Sequence, residues 1–357
     1  MVHPLLNVDL ALIIEKCILI SIIIGLSLIV AMYETWAERK VAAVIQDRRG
    51  PNRAGPAGIL QPLADGLKLF MKEDIVPKMS NGFLFILGPG LAMLTAMMTS
   101  AVIPWSSHIN AFGREISLQI ADINIGILYI FGVVSMGVYG VMIGGWASNN
   151  KFSLMAALRG ASQIISYELA MGLSIIALLM LTGSLSLKTI VDEQLDGIYN
   201  FLYQPLGFLI FLVCAFAECN RTPFDLSEAE SELNFGYHQE YSSMKLGFYL
   251  FAEYVNMFIS SAVMATLFFG GFDIPFVNDT AFGQAHGQNL LAILEGLSLA
   301  IKVAIFIFFF IWVRWTVPRF RYDQLMRLGW KGLIPLALVN MVVTGFIVLL
   351  KVNHWHF

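Results

Sequence analysis

"INIGILYIFGVVSMGVYGVMIGGW" (residues 123–146) runs for 24 residues without a charged side chain. Wound as a helix at about 1.5 Å per residue, such a stretch reaches roughly 36 Å, more than the roughly 30 Å of a bilayer's hydrocarbon core. A helix in a soluble core needs a polar face to meet water, and this one has none. Its glycines at 132, 137, 140, 144 and 145, with Gly140 and Gly144 spaced as GxxxG, are small enough to let a neighbouring helix approach closely.

The same character recurs on both sides of that stretch. Hydrophobic residues make up 57% of the 357, and Asp, Glu, Lys and Arg only 13%, about half the usual soluble fraction. Apolar periodicity predicts eight spans, over 10–35, 82–104, 123–146, 155–182, 202–218, 246–270, 288–314 and 331–351. The fold class expected is therefore an all-α polytopic membrane protein, one membrane domain over 1–357. The N-terminus lacks a basic region followed by a small-residue cleavage site, so the first helix is expected to be retained.

Lysine and arginine in the loops set the expected orientation. The first loop (36–81) holds eight, Arg39, Lys40, Arg48, Arg49, Arg53, Lys68, Lys72 and Lys78, and the stretch 314–331 holds five. The opposite side offers Arg114, Lys188 and Lys351. The loops 36–81, 219–245 and 315–331 are thus expected on the cytoplasmic side, with both termini outside. Within the first loop, Ile59, Leu63, Leu67 and Phe70 fall on one helical face, and Asp65, Lys68 and Lys72 on the other. That pattern predicts an amphipathic helix lying in the membrane surface or packed on another subunit.

Some functions are disfavoured by what is missing. No basic patch with interleaved aromatics points to nucleic acid, and no GxGxxG or GxxxxGK[ST] loop would cradle a nucleotide. Cys17, Cys214 and Cys219 have no CxxC spacing and cannot supply four thiolates to a cluster. No internal repeat is visible, which argues against a secondary transporter.

Charges inside apolar spans are costly, roughly 2.5–3.5 kcal/mol each at the bilayer centre, so each needs a partner or a purpose. They are Glu15, Lys16, Arg159, Glu168, Glu218, Glu253, Glu295 and Lys302. Glu168 and Glu253 have no opposite charge within helical reach. Glu295 and Lys302, two turns apart, either bracket a wet path or pair with other helices. Beside them the stretch 217–241, "AECNRTPFDLSEAESELNFGYHQEY", carries six carboxylates and one cation, Arg221. Crowded carboxylates raise one another's pKa and can hold protons near neutrality. The competing reading is a solvated or partner-docked acidic loop, which the surrounding aromatic and apolar residues disfavour.

Five motifs stand in order, "ERKVAAVIQDRRGPNRAGPAGILQPLADGLKLFMKE", "ALRGASQIISYE", "AECNRTPFDLSEAESEL", "EYSSMKLGFYLFAEY" and "PRFRYDQLMRLGWK", within a resemblance that covers essentially the whole chain. In these the chain resembles the H-subunit family of bacterial proton-pumping NADH:quinone oxidoreductase, respiratory complex I, whose mitochondrial counterpart is subunit 1. The resemblance implies a bacterial inner-membrane protein that forms the quinone-access chamber, anchors the hydrophilic arm and couples quinone reduction to proton translocation. It implies quinone as substrate and lipid as surroundings, with FMN and iron–sulfur clusters on partner subunits, so that no redox chemistry is catalysed by this chain. Expected partners are the peripheral quinone-site subunits and the small membrane-arm subunits.

By motif match, Glu168, Glu218, Glu253, Asp225, Glu228, Glu230, Glu232 and Glu240 resemble the family's proton path. Arg39, Arg48, Arg49, Arg221, Arg319, Arg321, Asp65 and Glu73 resemble its quinone chamber and subunit junction. The family usually reads ETNRAPFDL from the position of Glu218 and has glycine where Ala229 stands. His238 is also unusual, and is expected to be either a surface histidine or a member of the proton network. Three other readings stay open: the homologous subunit of an energy-converting hydrogenase or related dehydrogenase, an independent ion transporter, and a purely structural anchor.

Overall fold

The computed structural model describes residues 10–111, 114–195, 198–228, 230–275 and 287–353. In chain order its helices are α1 (Leu10–Ile45), α2 (Gln61–Met71), α3 (Gly82–Thr99), α4 (Gly126–Ala147) and α5 (Lys151–Thr182). There follow α6 (Leu187–Leu195), α7 (Asn200–Tyr203), α8 (Pro205–Glu218), α9 (Glu230–Leu233) and α10 (Ser243–Phe268). The last are α11 (Gln288–Thr316), α12 (Tyr322–Arg327) and α13 (Ile334–Asn353), the final two joined through a π-helical turn at Leu328–Leu333. A small antiparallel hairpin, β1 (His108–Ala111) and β2 (Arg114–Ser117), pairs His108 with Ser117 and Ala111 with Arg114; the apolar periodicity does not anticipate it.

Among the described residues, seven helices are long and apolar enough to cross a membrane, and α8 is a shorter apolar helix. Backbone groups in hydrocarbon have no water to bond, so an uncharged stretch of this length satisfies them internally as a helix. The chain is an all-α polytopic membrane protein. Two boundaries differ from those expected. The span 202–218 is not continuous, because Gln204 leaves helical geometry and α8 starts at Pro205, giving 14 residues or about 21 Å. Gln204 is held there by buried hydrogen bonds, donating to Thr344 Oγ1 at 2.6 Å and accepting from Asn340 Nδ2 at 2.9 Å. Helix α1 runs ten residues past 35 to Ile45, since "TWAERKVAAVI" contains no helix breaker.

The glycines of α4 do what their size allows. A Cβ at Gly140 would stand 2.8 Å from the Ala92 amide nitrogen of α3, and one at Gly88 would stand 2.9 Å from Gly144 Cα. The two helices therefore touch backbone to backbone. Local caps set the ends of their neighbours: Asn81 accepts from the Leu84 amide at the start of α3, Asn150 from the Phe152 amide at the start of α5, and Gly183 ends α5 at φ 67°.

Helix α2 forms as its periodicity predicts, and its apolar side chains Leu63, Leu67 and Phe70, with Ile59 just before it, are exposed on this chain. It and the residues after it connect to the start of α10, and Asp65 connects to α1. Ser243 donates to the Leu69 carbonyl at 3.1 Å, the Ile75 amide donates to Ser242 Oγ at 2.9 Å, and Lys245 pairs with Asp74 at 2.8 Å.

Candidate functional site

The stretch 217–241 is folded into the bundle rather than laid over it. Phe224, Leu226, Leu233, Tyr237 and Tyr241 are buried in the main hydrophobic core, and so are the polar Arg221, Asp225, Ser227 and His238. Tyr241 stacks flat on Phe85 at 4.1 Å between centroids. The hydroxyls of Tyr241 and Tyr249 donate to the Gly144 and Gly140 carbonyls at 3.2 and 3.0 Å. The glycine seam thus supplies both the close helix approach and the acceptors that anchor the loop. Gly236 takes φ 67°, and a Cβ there would collide with the Ser227 carbonyl oxygen, so only glycine fits that turn.

Burial gathers part of the expected set. From α10, the Glu253 carboxylate accepts from the Tyr237 hydroxyl at 3.2 Å and shares a hydrogen bond with Glu228. Glu253 and Glu218 line one cavity of about 50 Å³ with Asn220, Tyr237, Tyr249 and Asn256. Glu218 also faces a second cavity of about 40 Å³ between α4, α5, α8 and α10. Each has room for a few water molecules and carries the polar groups to bind them. Glu168, on α5, accepts from the Ser135 hydroxyl and stands near enough to Glu218 for their charges to interact. The row is Glu228, Glu253, Glu218, Glu168.

A second charged group flanks the row. Arg221, 4% exposed, pairs with Glu38 at 3.5 Å and lies 4.2 Å over the Tyr254 ring, with Nε and Nη2 making no hydrogen bond. Glu38 also pairs with Arg314 at 2.8 Å and accepts from the Tyr254 hydroxyl at 2.9 Å. Glu34, one turn earlier on α1, is buried with neither oxygen hydrogen-bonded. Sequence reasoning missed Glu34, Glu38, Tyr237 and Tyr254. The i, i+4 spacing of the two glutamates was the available signal, once α1 is allowed to continue past 35.

Other expected residues lie elsewhere. Glu232 pairs with Arg159 at 2.8 Å near the surface, and Glu240 accepts from Asn150 at 2.8 Å. Glu230 opens the short helix α9, and Ala229 lies outside the described residues. Among the basic residues, Arg319 reaches Asp225 at 2.8 Å and Arg39 pairs with Asp65 at 2.7 Å, tying α1 to α2. Arg48, Arg49, Arg321 and Glu73 are exposed, and of the expected arginines Arg221 and Arg319 approach the buried acids. Three other intramembrane charges have their own partners. Glu295 accepts from the Ser106 hydroxyl and the Ser107 amide, Lys302 donates to three carbonyls of the 269–273 turn, and Lys16 donates to the Gln119 carbonyl.

His238 is a correction. The surface position expected for it is wrong: it is 1% exposed, because the Gly236–His238 turn tucks its ring against Tyr237 and Tyr249. Burial pushes its pKa down to about 3, which keeps the ring neutral. Burial, reinforced by Glu253, holds the Glu228 carboxyl well above the usual range. Glu228, His238 and Glu253 each place a ligand atom within 4.8 Å of the others, the one group among the described residues with the donors to hold a metal ion.

Asp225 yields a pH test. Burial first, and Glu228 next, raise it to about 7 despite the Arg319 partner. Because its folded pKa lies above the unfolded 3.8, the stability it contributes is complete below pH 3.8 and lost as pH rises through about 7. Asn mimics the protonated acid. Asp225→Asn is therefore expected to slow thermal inactivation at pH 8 relative to the parent chain, by at most roughly 4 kcal/mol at 1.36 kcal/mol per pH unit, with little difference at pH 4. A parallel pH profile for the two proteins would refute it.

Fold and site together define a polytopic helical membrane protein whose bundle encloses a carboxylate row beneath a tucked-in acidic loop. The NADH dehydrogenase family model matches residues 17–345. The chain is 63% identical to an NADH-quinone oxidoreductase H subunit, the one numbered 1, of Cytophaga hutchinsonii, over 94% of this chain and 97% of that one. It is 64% identical to the NADH-quinone oxidoreductase H subunit of Flavobacterium psychrophilum, over 96% and 99%. At greater distance, the corresponding H subunit numbered 1 in Geobacter metallireducens is 48% identical over 93% and 96%. The chain belongs to the H-subunit family of NADH-quinone oxidoreductase.

Proposed function

We propose that this chain is the membrane subunit of respiratory complex I that forms the quinone-access chamber, anchors the hydrophilic arm and couples quinone reduction to proton translocation. The observation that carries the reading is the row Glu228, Glu253, Glu218, Glu168: Glu228 meets Glu253, Glu253 and Glu218 line one cavity of about 50 Å³, and Glu218 stands near Glu168. A proton entering at the loop has carboxylates and water-sized space to move through, and the neighbouring Arg221 sets the charge balance against which it moves. Quinone changes charge on reduction, and a row of coupled acids answers a nearby charge by taking up or releasing protons. Asp225, Glu230, Glu232 and Glu240 form the outer, loop part of the path.

The exposed Arg48, Arg49, Arg321 and Glu73, with the Arg39–Asp65 pair and the apolar face of α2, form the quinone chamber and the junction with the hydrophilic arm. The partners are the peripheral quinone-site subunits, which carry FMN and iron–sulfur clusters with their neighbours, the small membrane-arm subunits, and lipid. The chain is one membrane domain over 1–357 in a bacterial inner membrane, its termini periplasmic and its loops 36–81, 219–245 and 315–331 cytoplasmic. Its relatives' names favour this over a hydrogenase component.

The test is Glu218→Gln in the assembled complex, with NADH:quinone reductase and proton pumping measured together. Glutamine keeps the shape of the cavity wall and removes the exchangeable proton. The complex is expected to assemble, with both activities down about tenfold or more, the scale general acid–base groups carry. Assembly with both activities at parental levels rejects the proton path and favours a structural anchor.

A further inference from the structure

Neither ring nitrogen of His238 makes a hydrogen bond, although the residue is 1% exposed. A neutral imidazole carries one N–H donor and one lone pair, and leaving such groups dry costs on the order of 1–3 kcal/mol each. Its aromatic neighbours Tyr237, Tyr249 and Phe235 hold the ring in place without satisfying it. Nδ1 stands 3.3 Å from Glu228 Oε1, an oxygen that also has no hydrogen-bond partner. Glu253 comes in from α10, so that all three ligand atoms lie within 4.8 Å of one another.

Those distances have a chemical reading. Ligands at about 2.0–2.2 Å from a tetrahedral ion are separated from each other by roughly 3.4 Å. The Nδ1–Oε1 separation of 3.3 Å already matches this edge, and a Glu253 oxygen lies within 4.8 Å of both. We propose that Glu228, His238 and Glu253 form a binding site for a divalent transition-metal cation of the zinc class.

One neutral imidazole with two carboxylates suits Zn²⁺ and its neighbours, whereas Ca²⁺ and Mg²⁺ take all-oxygen sets. Burial holds His238 in the neutral form that ligation requires. The Tyr237 hydroxyl, donating to Glu253 Oε1 at 3.2 Å, orients that carboxylate from behind. On the Glu253 side the cluster adjoins a cavity of about 50 Å³, lined also by Tyr237, with room for water. Arg221 and Arg319 face the cluster and weaken cation binding; Asp225, paired to Arg319, and Glu38, paired to Arg221, offset them. An occupied site takes Glu228 and Glu253 out of the acid row, so the cation acts as a brake on quinone reduction. That consequence rests on the proposed function, whereas binding does not.

The experiment uses the purified, assembled complex, incubated with ZnCl₂ and desalted. Retained zinc is counted by mass spectrometry and its ligands read by X-ray absorption at the zinc edge. The parent complex is expected to retain about one more zinc per complex than His238→Phe, bound by nitrogen and oxygen with one imidazole. Equal zinc in the two complexes overturns the proposal. If His238→Phe does not assemble, the parent spectrum decides: no retained zinc, a sulfur-rich coordination sphere or a missing imidazole overturns it. Zinc bound with these ligands and no loss of quinone reductase activity upholds the site and counts against the acid row as the proton path.

Discussion

Arg221→Met is expected to reduce the assembled complex in membranes more than tenfold, and adding Glu38→Gln is expected to restore part of it. Arg221 is buried under the loop with Glu38 at 3.5 Å and the Tyr254 ring at 4.2 Å, and its charge acts on Glu228 and Glu253 as well. Removing one partner of a buried ion pair costs about 3–5 kcal/mol, because the remaining charge is left uncompensated in a poor solvent. Arg314 still reaches Glu38 in the single variant, so part of the penalty falls on Glu34, which feels the Arg221 charge and has no hydrogen-bond partner. Neutralising Glu38 removes one of the stranded acids, and a positive coupling in the double-mutant cycle measures the interaction. Complex at parental level on native gels for Arg221→Met would show that the arginine is dispensable to the buried cluster.

Gly140→Val tests the seam that holds the loop down. Its first added carbon would stand 2.8 Å from the Ala92 amide nitrogen and 3.0 Å from the Gly88 carbonyl oxygen. Both are backbone atoms in a helix and cannot turn aside. Overpacking typically costs about 1–3 kcal/mol, and here separation of α3 from α4 also strains the Tyr249 hydrogen bond to Gly140. Complex yield is expected to fall at least tenfold. Gly132→Ala is the control: it lies on the same helix with open space around it, and should assemble normally. Equal yields from both variants would mean that the glycine seam does not hold the bundle together.

Three of the four acids in the buried row were legible from the chain alone. Glu168, Glu218 and Glu253 stand out because a carboxylate in an apolar span is costly wherever the helix is placed. Glu228 was singled out by its crowded neighbours and its motif, but so were Glu232 and Glu240, which the fold sends to separate partners at the periphery. Spacing along a loop does not say which side chains turn inward. Glu34 and Glu38 escaped because a helix that extends past the membrane core looks like the beginning of a polar loop. For Lys302 and Glu295 the chain left a wet path and separate partners both open, and the fold gives each its own backbone and side-chain partners from other segments.

What the sequence determined by itself was the seven long membrane-crossing helices and the amphipathic α2, because helix formation in hydrocarbon depends only on local backbone satisfaction and an uninterrupted apolar run. The tertiary structure decided which carboxylates share a cavity and that His238 is buried with both nitrogens unpartnered. Those outcomes depend on α3 and α4 closing at their glycines and on Tyr241 and Tyr249 finding carbonyls there. The tyrosine bonds join residues about a hundred positions apart, and no local pattern encodes them.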